Sequence, residues 1–399
     1  GADPVPGPPF AVPTLGRSPE GAMSYALSTI WYERQRFLPA ILAVAFSAVL
    51  IAVQGGLVIG LLSMMSRPVD MTTADLWVGY PGVQSVDLGR GIPERWAARV
   101  AAEPGVTRVE TSIVGFSLWT HRTTGAPATP EVITVVGCHL HPDGLGAVEA
   151  IRTNPDLLVK LAEPMSVVVD EAEIHRLGVK GVGEQAEVVG RRVRVVGFVK
   201  GYRSLGGPYV FCSVETARAL LHYPRGECTY VLARCESPEA AKRVTERLGR
   251  YQQMSALTSD EFSLRTRVHW LTTTKAGIAV GFTAMLGLFV GSVVTSQTLY
   301  AAVAASQREF ATLRAMGIPS WRLKLTVVAQ SLWVGFFGLL AATPVSYVTA
   351  EAANLIGTQV TLHPAVVGLA VVLTLGMALV SGLAALRSFQ NVDPAHNIR

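Results

Sequence analysis

The sequence predicts an α-helical membrane protein with four transmembrane helices and an α+β extracytoplasmic domain inserted between helices 1 and 2. Three observations carry this prediction. Half of the 399 residues are hydrophobic and only 16% are charged, a balance that belongs to the membrane class rather than to soluble domains. No Asp, Glu, Lys or Arg occurs from Phe37 to Ser66, from Ala276 to Gln307, from Leu325 to Ala350 or from Ala352 to Leu386, and about 20 apolar residues cross the hydrocarbon core. Between the first two runs the composition is that of a globular domain long enough to bury its own core.

Taken in order, residues 1–22 are rich in Pro and Gly and read as a disordered leader or a remnant, with Met23 a plausible start. Residues 23–37 place Tyr25, Leu27, Ile30, Trp31 and Phe37 around Glu33, Arg34 and Arg36, which suits a cytoplasmic amphipathic helix or simply the flank of an anchor. The first span is expected over 38–63. It is too long for a signal-peptide core and has no small-residue cleavage pattern, so it reads as an uncleaved anchor.

The domain expected over 64–270 alternates strand and helix signals. "ADLWVGY", "VTRVETSIVGFSLWT" and "EVITVVG" are rich in β-formers, and "GIPERWAARVAAEPGV" reads as a helix closed by Pro-Gly. "SVVVDEAEIHRLGV" is a strand running into a helix, and "EQAEVVGRRVRVVGFV" is hairpin-like. Ser213 can cap "SVETARALLHY", and "SPEAAKRVTERLGRY" opens on Ser-Pro and stops at Gly249. The alternation implies an α+β fold with room for two lobes.

No helix breaker lies between Asp260 and Gly277, so a stalk is expected to run unbroken into the second span over 271–306. A charged, helix-patterned loop follows at 307–322, closed by Gly317 and Pro319. The third span is expected over 323–350, an outer loop over 351–363, the fourth span over 364–386 and a tail over 387–399. Arg34 and Arg36 precede the first span, and Arg308, Arg314, Arg322 and Lys324 follow the second, whereas the 351–363 loop carries only Glu351. The positive-inside rule therefore puts both termini and the 307–322 loop in the cytoplasm and the large domain outside.

Chemistry is sparse. There is no GxxxxGK[ST] phosphate loop, no GxSxG and no HExxH, so neither nucleotide hydrolysis nor a familiar hydrolase motif is encoded. "CHLHPD" brings Cys138, His139, His141 and Asp143 together, but without a second ligand pair it reads as a loop, not a metal site. The four cysteines all fall in the outer domain, where a bridge between Cys228 and Cys235 is one pairing the sequence allows. Gly277 with Gly281 and Gly287 with Gly291 form two GxxxG patterns on the second span, a helix-packing or dimer seam. A net charge of +5 follows the usual membrane-protein distribution and points to no nucleic acid.

"REFATLRAMGIP" after the second span resembles the signature of the FtsX-like permease superfamily of ABC transporters, the group that includes MacB. "FLPAILAVAFSAVLIAVQGGLVIGLLSMM" followed by "ADLWVGYPG" resembles DevC-type permeases in particular, while "WTHRTTGAPATPEV" and "GCHLHPDGLG" match no pattern of the family. The resemblance implies that Arg308, Glu309, Phe310, Leu313, Arg314, Ala315, Met316 and Gly317 form a coupling helix that docks on a cytoplasmic ABC ATPase dimer. It implies that ATP and Mg belong to that partner and that this chain binds no cofactor. It further implies a second copy of the chain in a bacterial inner membrane, surrounding lipid, and, where an outer membrane exists, a periplasmic adaptor and an outer-membrane channel. The expected function is mechanotransmission that exports a lipid-like, hydrophobic or peptide cargo. A signal transmitter activating an outer hydrolase and an ATPase-independent receptor are the alternatives.

Overall fold

The computed structural model describes residues 32, 34–121, 130–204, 206–304, 319–355, 358 and 360–390. The expected coupling-helix residues 308–317 lie outside these, as do 1–31 and 391–399. Two compact units emerge: residues 60–280, and a second unit formed by the segments on either side.

In chain order the elements begin with helix α1 (Arg34–Asp70) and strand β1 (Leu76–Gly79). Then follow β2 (Ile92–Pro93), α2 (Trp96–Ala101), β3 (Val106–Thr120), β4 (Glu131–Cys138), α3 (Glu149–Arg152), α4 (Pro155–Ala162) and β5 (Ser166–Asp170). After α5 (Ile174–Leu177) come β6 (Gln185–Val188), β7 (Arg191–Val199), β8 (Tyr209–Ser213), α6 (Val214–Leu220), β9 (Glu227–Cys228) and β10 (Tyr230–Cys235). The domain closes with α7 (Pro238–Leu248), β11 (Ser255–Thr258) and α8 (Ser259–Thr273). Three long helices end the described chain: α9 (Lys275–Ala304), α10 (Ser320–Leu355) and α11 (Pro364–Gln390).

Nine described strands of the 60–280 unit form one sheet in the order β11-β1-β10-β3-β4-β8-β5-β7-β6, with β6 pairing back onto β3, while β2 and β9 pair as a separate two-stranded sheet. β3 holds the arrangement together. Its first half, Val106–Ser112, pairs with β10, and its second half, Ile113–Trp119, pairs with β4. Because Trp119 and Thr120 also pair with Val188 and Glu187, the strands from β3 through β4, β8, β5 and β7 to β6 close into a ring. The two lobes allowed by the sequence are thus two halves of one strand with different partners.

Both faces of this sheet are covered, which explains apolar runs rather than alternation. Val167 and Val169 of β5 point into one core with Ile133, Val135 and Val210, while Val168 joins another with Val136 and Phe211. Trp119 fills the first core and donates from Nε1 to the Leu177 carbonyl at 3.0 Å. Local signals agree with the sequence. Ser213 and Ser237 accept from the backbone N–H of Thr216 and Ala240, capping α6 and α7. Helix α4, unforeseen, is capped by Asn154 with Pro155 at its first position.

In the other unit, small residues sit at the helix crossings. A Cβ on Gly338 of α10 would meet Val44 of α1 at 2.6 Å, and one on Gly335 would meet Ala378 of α11 at 3.2 Å. Phe37, Val44, Val334 and Ala378 form a common buried cluster. Four helices, spanning Arg34–Asp70, Lys275–Ala302, Lys324–Leu355 and Pro364–Ala384, are long and apolar enough to cross a membrane. The first starts earlier and ends later than the expected 38–63. Residues 34–37, assigned from sequence to a separate amphipathic helix, are its first turn.

The sequence expectation of a Cys228–Cys235 bridge is corrected. All four cysteines are free and buried. Cys228 pairs with Ile92 in β9, while Cys235 ends β10 beside Val106. The largely extended chain between them separates the two by roughly 20 Å, far beyond disulfide reach.

Candidate transmission site

The domain fastens to helix α8 turn by turn. At the start, Thr258 Oγ1 accepts from the Glu261 N–H and Glu261 Oε2 accepts in turn from the Thr258 N–H, a capping box that fixes where the helix begins. One turn on, Phe262 is buried and forms an aromatic triad with Trp77 of β1 and Tyr230 of β10, the centroids 5.4–5.6 Å apart. Further along, Arg265 donates to the Val83 carbonyl, and Thr266 Oγ1 accepts from the Val86 N–H at 3.3 Å. Trp270 Nε1 lies 3.2 Å from both Ser85 Oγ and Asp87 Oδ1.

The end of α1 joins the same cluster. Arg267 donates from Nη2 to Asp70 Oδ2 at 2.7 Å and from Nε to Ser66 Oγ at 2.8 Å. Tyr209 of β8 donates to the Met64 carbonyl at 2.9 Å, and burial raises its phenol above the ordinary range. A Cβ on Gly206 would stand 3.3 Å from the Trp270 ring, so a glycine lets the loop before β8 approach the indole.

Beyond Trp270 the expected unbroken stalk is corrected. Helix α8 ends at Thr273, and Thr274 takes an extended conformation with φ −88° and ψ 144° before α9 begins. The cause is local. Three consecutive β-branched threonines, 272–274, are weak helix formers. The Thr274 hydroxyl donates to the Trp270 carbonyl at 2.6 Å and accepts from the Gly277 N–H at 3.0 Å. One side chain therefore closes the first helix and caps the next. Gly277 is required here, because a Cβ would fall on the Trp270 carbonyl oxygen.

The four glycines read as a seam separate accordingly. Gly277 serves the bend. Gly287 and Gly291 face α1 of the same chain: a Cβ on Gly287 would meet the Gln54 carboxamide at 2.8 Å, and Ser47 Oγ donates to the Gly291 carbonyl at 3.1 Å. Gly281 is half-buried in the same helix. Around Cys138 the "CHLHPD" side chains diverge. The thiol faces the Cys212 carbonyl, His139 meets Thr111, and His141 pairs with Glu110 at 2.8 Å. Among the described residues no cluster of metal-ligating side chains is present.

Sequence reading missed Asp70, Arg267, Trp270 and Thr274. A "T-x-x-G" run at Thr274–Gly277 was the one local signal for the bend; the other three act through contacts across the fold that spacing does not reveal.

Two families match this chain: the MacB-like periplasmic core domain over residues 37–251 and the FtsX-like permease C-terminal over residues 281–394. An uncharacterized ABC transporter permease of Mycobacterium tuberculosis, from strains H37Rv and CDC 1551, is 26% identical over 373 residues, covering 93% of this chain and 97% of the relative. The crystal structure of the periplasmic region of MacB from Actinobacillus actinomycetemcomitans aligns at 12% identity with a TM-score of 0.33, covering 52% of this chain and 97% of that one. The core-domain match spans more than half of the chain and the C-terminal match takes in most of α9 and all of α10 and α11, so this chain belongs to the MacB/FtsX-like ABC transporter permeases.

Proposed function

We propose that the chain converts motion of a cytoplasmic ATPase dimer into movement of its outer domain, and thereby exports a lipid-like, hydrophobic or peptide cargo. Family membership implies the ATPase partner. The observation that carries the mechanical reading is the pairing of a firmly held helix with a single-residue joint. Helix α8 is tied to the domain through Phe262, Thr266, Arg267 and Trp270, and Thr274 alone carries the bend into α9. A rigid lever on a defined joint transmits angle, whereas a loose linker would dissipate it.

In this reading ATP and Mg reside in the partner, two copies of the chain act with two ATPases, and the segment Arg308–Gly317 is the docking element. DevC-like membership, a periplasmic adaptor and an outer-membrane channel belong to the same proposal, as do a chain without catalytic residues and cytoplasmic termini.

The test is copurification of the tagged chain with the ATPase encoded nearest to it, with ATP hydrolysis assayed in lipid. Glu309→Lys and Phe310→Ala are expected to weaken docking by about tenfold or more. Thr274→Val, which removes both hydroxyl bonds, is expected to leave docking intact while changing the hydrolysis rate. Docking that is absent in the wild type, or unaffected by both loop variants, returns the loop to a plain cytoplasmic connection and favours an ATPase-independent receptor.

A further inference from the structure

The 60–280 unit carries an open cleft of about 620 Å³ that shares Asp87 with the transmission site and is otherwise built from other residues. Its walls come from segments far apart in sequence: Tyr80 after β1, Asp87 and Arg90 before β2, Phe116 in β3, and Tyr223 and Glu227 after α6. The volume falls within the range of small-molecule sites, which combine apolar walls with a few fixed polar groups.

The polar groups ask for a donor. Asp87 is only 9% exposed. Its Oδ1 takes bonds from Ser85 and from Trp270, but Oδ2 has no hydrogen-bond partner. A buried carboxylate oxygen left in this state is costly, and a hydrogen bond from a charged donor relieves it best. On the same wall the Glu227 carboxylate engages no ion pair among the described residues. Arg90 lies with its guanidinium 5.0 Å from the centre of the Tyr80 ring, and His222 also lines the cleft. Two carboxylates thus line the same cleft as one cation, Arg90, which is already placed on an aromatic ring.

The apolar groups ask for a flat body. Phe116 is 39% exposed although it lies in the middle of a strand, and Tyr80 and Tyr223 stand beside it in the cleft wall. Aromatic faces attract both planar apolar groups and cations.

We propose that this cleft binds a small organic cation, an ammonium group joined to an aromatic or planar apolar body, with the ammonium toward Asp87 and Glu227 and the body against Phe116 and Tyr223. The inference stands apart from the coupling reading, because no ATPase enters its test.

The measurement is equilibrium binding of radiolabelled tryptamine to the full chain in lipid nanodiscs, with binding to empty nanodiscs subtracted. Tryptophol, which replaces the ammonium by a hydroxyl, serves as the uncharged competitor. Saturable tryptamine binding is expected, with tryptophol weaker by about tenfold or more. Glu227→Gln and Asp87→Asn are each expected to erase most of that preference, Phe116→Ala to weaken both probes alike, and Val182→Ala, on an exposed loop elsewhere, to change nothing. If Asp87→Asn does not fold, Glu227→Gln decides. The inference is overturned by an absence of saturable binding, by equal affinity for the two probes, or by a full ammonium preference in folded Glu227→Gln, any of which leaves the cleft as a solvent-filled groove.

Discussion

The four thiols show what burial does at a single residue. Desolvation, helped by the nearby Glu110 charge, pushes the Cys138 thiol up to about 12, and desolvation followed by Glu94 does the same for Cys228. Cys212 is likewise driven well above the ordinary value by its enclosure. An unfolded chain ionises its thiols near about 8.5. Above that pH the unfolded state binds fewer protons than the folded one, so stability falls as pH rises. The contribution is complete below about 8.5 and is lost toward 12, at up to about 1.4 kcal/mol per pH unit for each such thiol. Denaturant unfolding at pH 8 and pH 10 should show the decline. At pH 8 iodoacetamide should leave the folded chain unmodified, and after unfolding without reductant it should label all four cysteines; fewer than four labels would restore the bridge that the sequence allowed. That allowance came from counting cysteines, which says nothing about the extended strand that keeps Cys228 and Cys235 apart.

At the scale of the element, α8 gains its fixed position from burial more than from charge. The Arg267 and Asp70 side chains are 36% and 31% exposed, so solvent screens their pairing and its removal should cost no more than about 1 kcal/mol. Phe262 is 1% exposed within an aromatic triad, and Phe262→Ala should cost about 3–5 kcal/mol. Urea unfolding of the full chain in detergent, followed by tryptophan emission, should rank Phe262→Ala far below Arg267→Ala. A comparable loss for both would mean that the ion pair, not the triad, holds the helix. The start of α8 was marked locally, although the sequence reading did not draw on it: Thr258 and Glu261 stand at capping-box spacing. Its end was not legible: the threonine run contains no Gly or Pro, and its effect comes from one hydroxyl serving two helices. The same contrast holds elsewhere. The β6–β7 hairpin was visible from its alternation, although its turn residue Val189 adopts φ 43°, a value that a β-branched side chain disfavours and that no propensity would suggest.

For the whole molecule, the four apolar helices were legible because charge is excluded from them so completely, and the helix bounds moved by only a few residues. The ring closed by β6 on β3 was not legible, since the partners are some seventy residues apart and pairing leaves no local mark. The cleft walls were hidden for the same reason. Orientation is testable with one added cysteine at a time, because the native thiols are buried. Val182, 62% exposed, should react as Val182→Cys with a membrane-impermeant maleimide added to intact cells. Ala311→Cys, in the segment between α9 and α10, should react only after the cells are opened. The opposite pattern would invert the topology. The strand order also constrains biogenesis. β1 lies between β10 and β11, whose residues are synthesised more than a hundred and fifty positions later, so β1 emerges with no partner on either side. Pairings of such long range form late and leave edges open meanwhile. A ribosome that stalls before β10 therefore leaves a translocated fragment with an uncovered strand, a natural substrate for envelope chaperones and proteases.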